Sequence, residues 1–194
     1  MKKSTWIILS VVAVVFLTAL GFAIKQYYHF AVSNFQSMDG ESHSYHVYPN
    51  TPTDSLMTEM LGDYEMASDL AWCLHCRYLK YKEAKPGFYR FASKIANRDL
   101  IRRLQLGEET PIKLSFTQSI RTREQLAGHM GKKLLLDSAE VIQRLNDAEY
   151  LAHFGLKPET AVCLFIPNTY EVYWTMSADQ LFARMYKEYQ RFWN

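Results

Sequence analysis

Along the chain, short alternating apolar runs are repeatedly followed by longer runs with helical spacing. Tyr45–Tyr48 reads as a strand. Thr51-Pro52 then offers a cap residue and a first-turn proline ahead of Leu56, Met57, Met60 and Leu61, a helical face stopped by Gly62. Gly87–Phe91 reads as the next strand, and Asn97 opens a helix carrying Leu100, Ile101 and Leu104 that Gly107 closes. Ile112–Phe116 alternates as a half-buried strand should, and Thr122-Arg-Glu-Gln125 has capping-box spacing ahead of Leu126 and Met130. Asp137–Glu140 opens a further capped helix with Val141, Ile142 and Leu145 on one face. Gly155–Pro158 breaks the chain before an apolar strand predicted over Ala161–Ile166, with Cys163 in the core. Ser177–Gln180 caps a last helix whose predicted buried stripe is Leu181, Met185, Tyr189 and Phe192, with Lys187, Glu188 and Arg191 facing water. The pattern predicts an α+β protein.

The N-terminus follows a different rule. Trp6–Ile24 is 19 residues without a formal charge, about 28 Å as a helix, and its 12 Leu, Ile, Val and Phe residues favour insertion by on the order of 5 kcal/mol. Lys2 and Lys3 precede it, so the positive-inside rule predicts a cytoplasmic N-terminus, a single transmembrane helix in the inner membrane, and an extracytoplasmic body. A cleaved signal peptide is the competing reading. The length of the run and the aromatic group Tyr27, Tyr28 and Phe30 favour a retained anchor. The polar stretch Ser33–Ser44 reads as a spacer.

Twenty-two Lys and Arg against 20 Asp and Glu leave a net charge of +2, which with no long basic run argues against nucleic acid as a partner. Cys73-Leu-His-Cys76 lacks the second ligand pair a zinc site needs and the strand-to-helix setting of a redox pair, so it reads as small residues on a helix. No metal or cofactor is expected.

One stretch is more distinctive. Phe165-Ile-Pro-Asn-Thr-Tyr-Glu-Val-Tyr-Trp174, an apolar run into Pro-Asn-Thr-Tyr followed by a capped helix, resembles the YceG-like family of murein transglycosylases, whose usual form is Phe-Pro-Asp-Thr-Tyr. Lys85-Pro-Gly-Phe-Tyr-Arg90 is similar to that family's Gly-x-Tyr strand. The resemblance implies a tail at residues 1–5, the anchor at 6–24, a spacer at 25–44, a LysM-like strand-helix module at 45–110 and the first part of a catalytic domain at 111–194. Asn168 stands where the commoner form has Asp, and Val162-Cys163 replaces a Glu-Gly pair.

The implied activity is endolytic cleavage of the β-1,4 bond between N-acetylmuramic acid and N-acetylglucosamine, leaving 1,6-anhydro ends. One glutamate would protonate the leaving oxygen and then take the proton of the muramyl C6 hydroxyl, which requires a carboxyl with a raised pKa. The family's context for that glutamate has no match in this sequence, so it is expected beyond Asn194 and no catalytic residue is assigned. Glu171 adjoins the motif, but its place in an alternating segment favours a solvated or groove-lining role. Substrate-binding candidates are Asn168, Thr169, Tyr170, Tyr173 and Trp174, the aromatic ones equally suited to core packing. Expected partners are peptidoglycan glycan strands, the inner membrane and wall-synthesis enzymes. A different class fits the same residues: a non-catalytic, membrane-tethered glycan-binding or scaffold protein. A chorismate-processing lyase finds no support in the residues.

Overall fold

The structure, a computed structural model, describes residues 12–23, 25 and 34–193. Its elements run β1 (Asn34–Ser37), β2 (His43–Val47), α1 (Thr53–Asp63), β3 (Tyr64–Met66), α2 (Asp69–Tyr78), β4 (Gly87–Phe91), β5 (Lys94–Ala96) and α3 (Asn97–Leu106). They continue with β6 (Ile112–Ser115), α4 (Arg123–Lys133), α5 (Ser138–Asn146), α6 (Ala148–Ala152), a 3-10 helix (Pro158–Leu164), β7 (Thr169–Val172) and α7 (Ala178–Trp193). This is the mixed α and β composition that the pattern predicts.

The transmembrane helix is not supported. No helix among the described residues is long and apolar enough to cross a membrane. Residues 6–11 and 24 of the expected span lie outside the described residues. The single-pass anchor is corrected accordingly, and the inner-membrane partner, the cytoplasmic N-terminus and the extracytoplasmic body, which were inferred from that helix, lose its support.

The described chain divides into two compact units built from alternating segments. One comprises the described residues through His43 with Thr53–Glu83 and Phe91–Gln105; the other comprises Ser44–Pro52, Ala84–Arg90 and the described residues from Leu106 onward. In the first, β1 lies between β3 and β5, antiparallel to both, with Phe35 opposite Met66 on one side and Ile95 on the other. The stretch read as a spacer therefore holds a central strand. Phe35 explains it: the side chain is wholly buried and meets Trp72 edge-on at 5.4 Å. Gly62 lies inside α1, and the chain passes directly into Tyr64, whose hydroxyl donates to the Phe91 and Ala92 carbonyls at 3.0 Å. α3 buries Leu100, Ile101 and Leu104, the face predicted for it, and Gly107 follows with φ +76°, the left-handed conformation suited to a residue just past a helix.

In the second unit, β2 pairs with β4 and β6 pairs with β7. The inward side of the β6–β7 ribbon joins α4, α5 and α7 in one apolar cluster that includes Leu114, Met130, Leu145, Leu181, Phe182 and Met185. Three of the predicted caps form, but not that at Thr51-Pro52, where the helix begins only at Thr53 and the Thr51 hydroxyl donates to the Tyr48 carbonyl. Thr122 and Gln125 make a reciprocal capping box, Asp137 Oδ1 accepts from Ala139 N at 2.9 Å, and Ser177 and Gln180 exchange bonds of 3.0 and 3.3 Å.

Two local expectations are overturned. Residues expected as the strand Ala161–Ile166 lie mostly in the 3-10 helix Pro158–Leu164. Pro158 at its first turn pre-sets the backbone, and Ala161 and Leu164, three apart, are the positions that bury. Cys163 consequently points outward and is exposed, not core. On α7 the buried stripe is Ala178, Leu181, Phe182 and Met185; Tyr189 is half-buried and Phe192 is 63% exposed. Glu188 does not face open water either, because Arg184 and Arg191 hold it at 3.1 and 3.3 Å with its side chain 17% exposed.

Candidate functional site

The family-like motif lies on the β6–β7 ribbon. Its register sets Ile112 opposite Val172, Lys113 opposite Glu171, Leu114 opposite Tyr170 and Ser115 opposite Thr169. The pleat then sorts the side chains: Leu114, Tyr170 and Val172 are buried, while Lys113, Ser115, Thr169 and Glu171 are exposed, followed on the same side by Tyr173. The outer face is thus a row of hydroxyl, ammonium and carboxylate groups ending in a 50% exposed phenol. Ser115 Oγ and Thr169 Oγ1 are hydrogen-bonded to each other at 2.8 Å. Asn168 is tied into the backbone: its carbonyl accepts from Phe116 N at 2.9 Å and its Oδ1 accepts from Thr169 N at 2.7 Å. An uncharged side chain suffices for that bond, which suits Asn at this position.

The five candidate residues do not converge on one cavity. Asn168 and Thr169 stand exposed at the start of β7. Tyr170 turns into the core, where its ring lies 6.0 Å from Phe116 and its hydroxyl donates to the Ile166 carbonyl at 2.9 Å. Burial, with Glu188 secondary, pushes its phenol pKa above the ordinary value. Tyr173 borders a shallow depression with Gly107, Glu108 and Glu109. Trp174, 5% exposed, closes the floor of a separate recess of about 430 Å³.

That recess contains groups the sequence did not flag. His46 and Tyr48 flank the Trp174 ring edge-on, at 4.9 and 5.1 Å between centroids, and Lys113, Lys132 and Lys133 surround them. Alternation along Tyr45–Tyr48 was the available signal: Tyr45 and Val47 are buried, which turns His46 and Tyr48 out on one side.

Glu109 was also missed. One carboxylate oxygen accepts from Phe88 N at 3.3 Å and the other from the Thr175 hydroxyl, so it joins β4 to the segment after β7. Glu171 is exposed in mid-strand opposite Lys113. In the first unit Asp39 is held well below the usual carboxylate range by hydrogen bonds from the Ser37 hydroxyl, Glu41 N and His43. Glu124, beside the α4 cap, is also lowered, by backbone and Thr122 hydrogen bonds. Groups held ionised in this way are poorly suited to donate a proton. Among the described residues, no cluster of three or more His, Cys, Asp or Glu is arranged to hold a metal ion.

Comparison with known proteins gives one family. A model described as the YceG-like family matches residues 45–194. A crystal structure of a protein described as YceG-like, from Listeria monocytogenes, aligns with a TM-score of 0.40 and 20% sequence identity over 77% of this chain and 54% of that one. The chain thus spans about half the length of that protein. No curated protein matches.

Proposed function

Since the chain belongs to the YceG-like family, we propose that it forms the glycan-engaging part of a murein lytic transglycosylase. The reaction assigned to the whole protein is scission of the N-acetylmuramic acid to N-acetylglucosamine β-1,4 bond, with the muramyl C6 hydroxyl closing on C1 to leave a 1,6-anhydro end. The family match over residues 45–194 is the observation that carries this reading.

The ribbon geometry agrees with it. A glycan strand is an extended polymer of hydroxyl and acetamido groups with apolar C–H faces. Lys113, Ser115, Thr169 and Glu171 repeat along an exposed edge, and Tyr173 adds a ring face at its end. Such a surface supplies hydrogen bonds at strand spacing and one stacking position.

The step itself needs one carboxyl that is protonated first and basic afterwards, which calls for burial. Glu171 is exposed, Glu109 has both oxygens occupied, and Glu188 is paired with two arginines. None of these is assigned as the acid. The contribution of the described residues is to bind and orient the strand.

Two measurements test this. The 194-residue chain should co-sediment with purified sacculi, and Thr169→Ala combined with Tyr173→Ala should reduce the bound fraction several-fold without changing the fold. The full-length gene product should release muropeptides lighter by one water than hydrolytic products. Hydrolytic products, or wild-type binding by the double variant, would refute the corresponding half of the proposal.

A further inference from the structure

We propose that the recess around Trp174 binds a carboxylate-bearing sugar of the glycan strand. This gives the chain a second subsite, specific for the acidic substituents of the polymer and not for its neutral backbone. The inference rests on the peptidoglycan reading and adds a chemistry that reading does not supply.

Three segments distant in sequence build the recess, and each is fixed by a bond. Tyr48 ends the β2 segment in a turn in which its carbonyl accepts from Thr51 N at 3.2 Å and Thr51 Oγ1 at 2.9 Å. Leu135 N donates to the Trp174 carbonyl at 2.8 Å, which draws the last turn of α4, with Lys132 and Lys133, up to the tryptophan. The Ile112–Val172 pairing places Lys113 at the third side. His46 is in turn backed by the Phe88 ring at 4.8 Å. The three aromatic rings are therefore held by packing before any ligand arrives.

Charge and shape select the ligand. Lys113, Lys132 and Lys133 are exposed, and none is in an ion pair with a carboxylate among the described residues. No acidic residue lines the recess. Two of the lysines also complement the C-terminal dipole of α4, which explains their place on that helix but not the third lysine across the recess. A volume of about 430 Å³ suits a one- or two-ring ligand. The exposed ring of Tyr48 favours a ligand ring with C–H surface, and the ammonium groups of Lys132 and Lys133 at the rim, away from the Glu171 that stands opposite Lys113, favour one carrying carboxylates. A nucleic-acid strand would need a longer basic track than three lysines around a pocket, in a chain of net charge +2.

The test is titration calorimetry on the 194-residue chain with three probes. These are the disaccharide of N-acetylglucosamine and N-acetylmuramic acid with its lactyl carboxylate free, the same disaccharide with that carboxyl amidated, and neutral chitotetraose. The acidic probe should bind about tenfold more tightly than the amidated one, and that preference should shrink as salt rises. Lys132→Gln and Lys133→Gln together should abolish the preference and leave the affinity for the amidated probe unchanged. These exposed positions leave folding intact, checked by circular dichroism. Tyr48→Ala should weaken both muramyl probes alike, because the ring contact does not depend on charge. Equal affinity for the acidic and amidated forms, survival of the preference in the double variant, or indifference to Tyr48→Ala would overturn the subsite. Chitotetraose separates the two levels: if it binds while the acidic preference is missing, only the subsite falls. If no probe binds, the peptidoglycan reading falls with it.

Discussion

Tyr170→Phe separates the structural from the substrate-contacting role of the motif tyrosine. The substitution keeps the ring, which is 7% exposed and packed near Phe116, and removes one hydroxyl that donates to the Ile166 carbonyl at 2.9 Å. A neutral hydrogen bond of this kind contributes about 1 kcal/mol net. Ile166 is half-buried, so water can partly replace the donor and the cost falls toward the lower end of that range. For a protein of this size about 1 kcal/mol corresponds to roughly 2–4 °C in Tm. Burial raises the folded-state phenol pKa, so the contribution is fully present below the unfolded value near ~10 and is lost as pH rises beyond it. Thermal unfolding at pH 7 should therefore show the full loss, with sacculus binding unchanged. Tyr173→Ala should do the reverse, because that ring is half exposed and packs little. A several-fold loss of binding by Tyr170→Phe at unchanged Tm would refute the inward assignment.

Three further outcomes are expected. Burial pushes the Cys76 thiol up to about 11, so at pH 8 its thiolate is roughly 100-fold scarcer than that of an ordinary thiol; iodoacetamide mapping should show Cys73 and Cys163 modified first and Cys76 far more slowly. On α4, a Cβ at Gly128 meets nothing within 4 Å, whereas one at Gly131 would run into the Ser138 hydroxyl and the Leu136 carbonyl. Gly128→Ala should stabilise by about 0.5–1 kcal/mol and Gly131→Ala should not, a contrast that urea midpoints measure. Asp39 has a lowered folded pKa, so its contribution is present above the ordinary carboxylate pKa of ~4 and is lost as pH falls below it. The difference in urea midpoint between wild type and Asp39→Asn should be steady at pH 5–7 and vanish toward strongly acidic pH; a constant difference down to pH 2 would contradict the assignment.

The legible parts of the fold are those set by local chemistry. Thr122 with Gln125, and Asp137 ahead of Ala139, act within four residues, and each cap forms where the spacing predicts it. Contiguous apolar composition misled at both ends of the chain. Ala161–Ile166 has the makeup of a strand, yet Pro158 and the burial of Ala161 and Leu164 at a spacing of three select a 3-10 helix. The long apolar run near the N-terminus satisfies a hydropathy rule, but no helix among the described residues is long and apolar enough to cross a membrane. In Ser33–Ser44 the error runs the other way, because one wholly buried aromatic, Phe35, makes a polar stretch into a central strand.

The same distinction separates what was readable of the candidate site from what was not. Pro167–Tyr170 is contiguous and carries its resemblance in four adjacent letters, so it can be recognised without knowing where any side chain points. Its orientation depends on partners 54 to 60 residues away through the β6–β7 register. That register divides the motif, sending Tyr170 to the core and Thr169 and Tyr173 to the surface. The lysine-ringed recess has no contiguous signature at all. Lys132-Lys133 is an ordinary dibasic pair until the Leu135–Trp174 hydrogen bond sets it against an aromatic floor, and His46 and Tyr48 are ordinary strand residues until they flank that floor. Specificity in such a site comes from the juxtaposition, so substitutions that neutralise the lysines and one that removes Tyr48 must act on different features of the same ligand: charge in the first case, ring surface in the second.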